Sequence, residues 1–141
     1  MNTPHPPATV WPVTIGEAAR LSGISPKMLR HYEGLGLLGQ VPRSDGNYRQ
    51  YQERDVHTLR FIRRSRDMGF ALQDIAALVD LWHNRRRSSQ QVKRVAQQHL
   101  EQLDRKIDEL QAMRRTLDAL ICQCPGDSRP DCPILDDLAH P

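Results

Sequence analysis

The chain is 141 residues long, 38% hydrophobic and 26% charged, which suits one folded domain or two small ones rather than a disordered chain. Aromatics at 5% argue against a large aromatic core or a sugar groove, and no apolar run nears the roughly 20 residues of a membrane span. Met1 to Pro12 carries four prolines and no charged side chain, so it lacks the basic start and apolar stretch of a signal peptide and reads as a disordered extension, residues 1–12. The net charge of +3 is unevenly spread. Residues 13–81 hold 10 basic and 8 acidic side chains, 82–121 hold 9 and 5, and 122–141 hold 1 and 4. A mildly basic body with an acidic tail permits nucleic acid as a partner without requiring it. The cytoplasm is the expected compartment, where long-lived disulfides are rare.

Residues 13–82 read as one small domain. Thr14 and Glu17 have the spacing of a capping box, predicting a helix from Ile15 that stops at Ser22-Gly23. Ser25-Pro26 predicts a second helix, with Ser25 as cap and Pro26 where a missing N–H costs nothing. It ends at Gly34 or Gly36. Two short helices joined by a glycine turn suggest a helix-turn-helix. Pro42 to Gln50 follows, with a turn at Asp45-Gly46-Asn47, and reads as a two-stranded wing. Two more helices are expected over 53–82, the first closed by Met68-Gly69 and the second starting after Ala71, a poor cap.

The strongest periodicity lies further on. Ser88 and Gln91 form another capping-box pair. Ala96, Leu103, Leu110 and Leu117 recur every seven residues, with Val92, His99, Lys106, Met113 and Leu120 as an interleaved set. This is a heptad seam. A helix over 89–121 extends roughly 50 Å, too long to bury its seam on so small a body. It calls for a partner helix, most simply from a second copy. The domain reading therefore assigns 83–121 to a dimerisation helix and 122–141 to a loop and tail.

Residues 13–82 resemble the DNA-binding half of the MerR family. The resemblance lies in Thr-Ile-Gly-Glu-Ala-Ala (14–19), Gly23, Leu-Arg-His-Tyr-Glu (29–33), Gly-Leu-Leu (36–38), Arg43, Asn-Tyr-Arg-Gln-Tyr (47–51) and Arg-Asp-Met-Gly-Phe (66–70). It implies a mainly α protein: a winged helix-turn-helix DNA-binding domain, a long dimerisation helix pairing as an antiparallel coiled coil, and a C-terminal metal-binding loop. The implied partners are promoter DNA, RNA polymerase and a second copy, with no membrane and no catalysis. Local chemistry points to the same face. Lys27, Arg30 and Tyr32 lie on the second helix, which such folds place in the major groove. Arg43, Tyr48 and Arg49 lie on the wing, where a planar donor fork and a rigid hydroxyl suit phosphates.

All three cysteines fall in the last twenty residues: Cys122, Cys124 and Cys132. Cys124 and Cys132 bracket a loop with a Pro125-Gly126 turn, so their ends can approach. A structural zinc site wants four ligands, and here only distant His140 could join the cysteines. A four-cysteine iron–sulfur cluster lacks its ligands. Two thiolates suit a soft monovalent d10 ion such as Cu(I), with a disulfide as the redox alternative.

The loop is similar to that of the family's copper-responsive branch, in its Cys-Pro-Gly-Asp start and Asp-Cys-Pro-Ile end. That resemblance implies one Cu(I), Ag(I) or Au(I) per sensor loop, held by Cys124 and Cys132. It places Ser89 where divalent-metal sensors carry a cysteine. Ser89 and Lys93 then lie behind the metal site, at a positive helix end contributed by the other subunit. Cys122 departs from the two-cysteine pattern and fits best on the end of the long helix. The function expected is a metal-responsive activator that distorts promoter DNA. The alternatives are a relative sensing a divalent metal, a redox signal or an organic ligand.

Overall fold

A computed structural model of the chain describes residues 7–141. Six helices are formed: α1 (Ile15–Ser22), α2 (Pro26–Gly34), α3 (Glu53–Asp67), α4 (Leu72–His83), α5 (Ser89–Gln123) and α6 (Pro133–Ala139). The chain divides into two compact units, Met1–Val92 and Lys93–Pro141. That boundary falls within α5.

In the first unit the helix limits follow from their caps. Thr14 Oγ1 accepts from Glu17 N at 3.3 Å, and Ser25 Oγ accepts from Met28 N at 3.3 Å. The Thr14 capping box is half made, because the Glu17 carboxylate pairs with Arg20 instead. Helix α3 starts with a reciprocal box between Gln52 and Asp55. Helix α2 closes at Gly36, whose φ of 77° suits a residue without a Cβ, and Leu37 N then reaches back to Tyr32 O at 3.2 Å.

Helix α1 packs on α2 and α3, and α3 packs on α4. Their inward faces share one core, in which Ala18, Leu29, Tyr51, Leu59, Ile62 and Ile75 are fully buried. Trp11 packs against this core, so the ordered body takes in the end of the expected N-terminal extension. The rest of that expectation, over residues 1–6, lies outside the described residues.

The wing departs from the expected pair of strands. It is a hairpin held by an isolated Arg43–Arg49 bridge. Asn47 N donates to Ser44 O at 2.8 Å and Ser44 N to Tyr48 O at 2.7 Å. Asn47, at φ 65°, takes the left-handed position, which asparagine tolerates better than most residues. Gln50 N donates to Pro42 O at 2.9 Å, but Pro42 has no N–H to return, so the ladder stops. Tyr51 instead exchanges both bonds with Val13, at 2.8 and 2.9 Å.

Helix α5 begins at Ser89, as expected, and ends two residues later than expected. Asn84 turns the chain before it, accepting from Arg86 N through its side chain and from Arg87 N through its carbonyl. Ser88 and Gln91 then cap it reciprocally, both bonds at 3.4 Å. At its far end the helix takes in Cys122 and stops at Gln123.

Candidate nucleic-acid interface and cysteine loop

Arg60 Nε donates to Leu21 O at 3.0 Å and Arg63 Nη1 to Gly23 O at 2.7 Å, tying the α1–α2 turn to α3. A Cβ on Gly23 would lie 1.5 Å from Arg63 Nη1, at a backbone φ of 72°. The left-handed φ is what favours glycine there, since the flexible end of Arg63 can shift aside.

On α2, Lys27 and Arg30 are exposed and three residues apart, so they share a face. Tyr32 does not join them. It is 5% exposed and belongs to the core, three positions after buried Leu29 on the same inward side. The expected DNA contact at Tyr32 is therefore corrected to a packing role. On the wing, Arg43 and Tyr48 are exposed, and Arg43 Nη1 bonds Asn47 O at 3.3 Å. Arg49 is half-buried and paired with Glu33 at 2.7 Å. The same Glu33 oxygen accepts from the Tyr51 hydroxyl at 3.2 Å. Burial first, and Glu33's charge second, push the Tyr51 phenol up to about 12.

Glu33, Tyr51, Arg60 and Arg63 were not among the expected site residues. One signal for the first two was in the sequence. Arg49 and Tyr51 are two apart on an extended segment and so share a face, and a lone acid at Glu33 follows Arg30 on the recognition helix.

Along α5, Leu100, Leu103, Ile107, Leu110, Met113, Leu117 and Ile121 are 38–60% exposed. Their spacing makes one apolar stripe. Of the seam residues expected, Leu103, Leu110 and Leu117 lie on it, and Ala96 is exposed one heptad earlier. Of the expected interleaved row, Met113 also lies on the stripe. His99 and Leu120 are buried, and Lys106 pairs with Glu109 at 3.8 Å. The second row is Leu100, Ile107 and Ile121, three residues before each leucine or four after.

The cysteine loop starts where α5 ends. Cys124 N donates to Leu120 O at 3.1 Å, completing the last turn. Gly126 turns the chain at φ 64°, and Asp127 holds Arg129 through both its backbone N and its Nε, at 2.9 and 2.8 Å. Those bonds keep the Asp127 carboxyl below its ordinary range. Cys132 occupies the cap position of α6, with Pro133 first in the helix. Cys124 and Cys132 are free thiols of intermediate exposure, while Cys122 is a free, exposed thiol on α5. No group of three or more His, Cys, Asp or Glu side chains placed to hold a metal ion occurs among the described residues. Thiols are soft donors, and Cys124 and Cys132 bracket this loop. Ser89 and Lys93, in the first turns of α5, are both exposed and four residues apart.

Comparison with known proteins places these features in a family. Residues 13–81 match the model for MerR HTH family regulatory proteins, and residues 56–120 match the model described as MerR, DNA binding. An uncharacterised HTH-type transcriptional regulator of Pseudomonas aeruginosa is 54% identical over 90% of this chain and 96% of its own. Heavy metal-dependent transcription regulator 2 of Rhizobium meliloti is 49% identical over 91% and 87%. The regulator CueR of Escherichia coli is 37% identical over 90% and 94%. Among solved structures, a transcription regulator from Ralstonia metallidurans in complex with lead(II) superposes with a TM-score of 0.78 at 33% identity, covering 90% of this chain and 99% of that one.

Proposed function

The chain belongs to the MerR family of helix-turn-helix transcription regulators, DNA-binding proteins rather than enzymes, and from that premise we propose that it is a homodimeric activator responding to Cu(I), Ag(I) or Au(I). The observation that carries the metal reading is the pair of half-buried free thiols, Cys124 and Cys132, bracketing one tight loop. Similarity to a heavy metal-dependent regulator and to CueR supports it. Cys124 and Cys132 would hold the ion, a soft monovalent cation matched to thiolate donors.

The residues have distinct tasks in this reading. Lys27 and Arg30 on α2 meet one stretch of DNA, and Arg43, Tyr48 and Arg49 on the wing meet the adjoining backbone. The exposed stripe of α5 packs on the stripe of a second copy, placing two readers on a two-fold operator. Two thiolates and one monovalent ion leave a charge of −1, which Lys93 and the capped start of α5 at Ser89, both from the partner subunit, offset. Ser89 offers no third thiolate. A response would require the two dimer states to differ in their affinity for the ion, since equal affinity for both would shift nothing. Deformable promoter DNA couples those states to RNA polymerase. The cytoplasm is where the proposal sets this work. No helix among the described residues is long and apolar enough to cross a membrane.

Likeness to the lead-bound structure favours a second reading, a divalent-metal sensor. Transcription in vitro from a promoter that the protein binds, with Cu(I), Ag(I), Au(I), Zn(II), Pb(II) or Hg(II) added in turn, separates the two. Activation by the three monovalent ions alone is expected. A full response to Zn(II) or Pb(II) would establish the divalent reading.

A further inference from the structure

The wing is tied to α2 by a single carboxylate oxygen. Glu33 Oε2 accepts from Arg49 Nε at 2.7 Å and from the Tyr51 hydroxyl at 3.2 Å. The side chains of Arg49 and Glu33 are 25% and 18% exposed, and Tyr51 is fully buried. The charge of Arg30, on the recognition helix, also reaches Tyr51. Three side chains, Glu33 from α2 with Arg49 and Tyr51 from the end of the wing, therefore meet at one carboxylate oxygen. An arginine carries five N–H donors, and the bond to Glu33 uses the one on Nε. The donors on its two terminal nitrogens are left for another acceptor.

A carboxylate on a DNA-binding face costs repulsion from phosphate, so its presence asks for a compensating role. We propose that Glu33 is a positioning residue for DNA: it holds Arg49 in the orientation that meets a phosphate and, with Tyr51, fixes the wing relative to Lys27 and Arg30. This inference rests on the DNA-reading function proposed above. Its physical gain is preorganisation. A loose arginine loses rotamer freedom when it binds, and one already held by Glu33 has lost it in the folded protein. The shared oxygen also makes the two restraints mutually dependent, because losing Glu33 frees Arg49 and leaves the buried Tyr51 hydroxyl without that acceptor.

The test measures binding of the full chain to a duplex selected from a random-sequence pool by the wild-type protein, over a range of salt. The variants are Glu33→Ala, Glu33→Gln, Arg49→Ala and the Glu33→Ala/Arg49→Ala pair. Arg49→Ala and Glu33→Ala should each weaken binding about 3- to 10-fold and reduce the salt slope by about 0.9, the signature of one lost phosphate contact. Glu33→Gln keeps an acceptor and should recover most of the affinity. The double variant should bind no worse than Arg49→Ala alone. Tighter binding by Glu33→Ala, as removal of a repelling charge would give, overturns the proposal. So does an equal further loss from Glu33→Ala in the Arg49→Ala background, which marks general damage to the wing. If Arg49→Ala matches the wild type in affinity and slope while Arg43→Ala does not, the positioning role alone fails. If no variant of this face changes either quantity, the DNA-reading face fails with it. Should Glu33→Ala not fold, Tyr51→Phe keeps the ring and removes one restraint. It should then show a smaller loss of the same kind, and an unchanged affinity would overturn the proposal.

Discussion

The two ends of this chain use apolar residues in opposite ways. In the first unit, leucines, isoleucines and aromatics from α1 to α4 close over one another, and Leu29, Leu59, Ile62 and Ile75 have no exposure. In α5 the same residue types form an open stripe, half exposed along its length. The reader closes on its own side chains, whereas the stripe of the long helix stays open in the single chain. Mutations should therefore speak differently in the two regions: through folding in one, through association and response in the other.

The largest expected effect lies in the cysteine loop. Cys124→Ser or Cys132→Ser should abolish the transcription response to Cu(I) while operator affinity stays within about 2-fold, since sites that share no partners act nearly independently. A joint loss of response and DNA binding in a gel-shift assay would break the division between the regions. Next comes Leu110→Asp, which sets a charge on the exposed stripe. Sedimentation should find monomers, because burying that carboxylate unpaired costs several kcal/mol, roughly, and operator binding should go with the dimer. A dimer that survives Leu110→Asp would move the interface elsewhere.

In the reader, Leu59→Ala opens a cavity in a fully buried position and should cost about 2–5 kcal/mol in chemical denaturation. Leu103→Ala, on the stripe, should leave the unfolding of the isolated monomer nearly unchanged and weaken dimerisation instead. A smaller effect follows from Tyr51. Its folded pKa, raised to about 12 from 10.0, means that unfolded chains release the phenolic proton first as pH climbs. Stability is therefore untouched below about pH 10 and falls as pH rises toward about 12. Tyr51→Phe should flatten that fall in an alkaline titration followed by circular dichroism. The smallest effect is expected at Cys122, exposed on α5. Cys122→Ser should respond to Cu(I) almost as the wild type does, and loss of a third sulfur neighbour in X-ray absorption would contradict the two-thiolate site.

The sequence was most legible where the structure is decided locally. Thr14, Ser25 and Ser88 announce helix starts because a cap acts within three residues. The seam of α5 was legible in its period. Rows beginning at His99 or at Leu100 fit the same leucine ladder, and only burial tells which side is open. Tyr32 was misplaced for a related reason, since an aromatic on a recognition helix can serve packing as well as phosphate. Glu33 was missed because its partners lie 16 and 18 residues away, a separation that no helical or strand period encodes. The wing read as two strands because its composition did, while Pro42 had already removed the donor that a longer ladder needs.

Gly23 carries a consequence for anyone who would borrow this reader. Its bend is held by a guanidinium delivered from α3, forty positions along the chain, standing where a side chain on Gly23 would be. The helix-turn-helix is therefore not a portable cassette. Residues 14–38 grafted onto another scaffold would bring the recognition surface without the arginines that set its angle, and the graft would have to import α3 to keep the specificity it was chosen for.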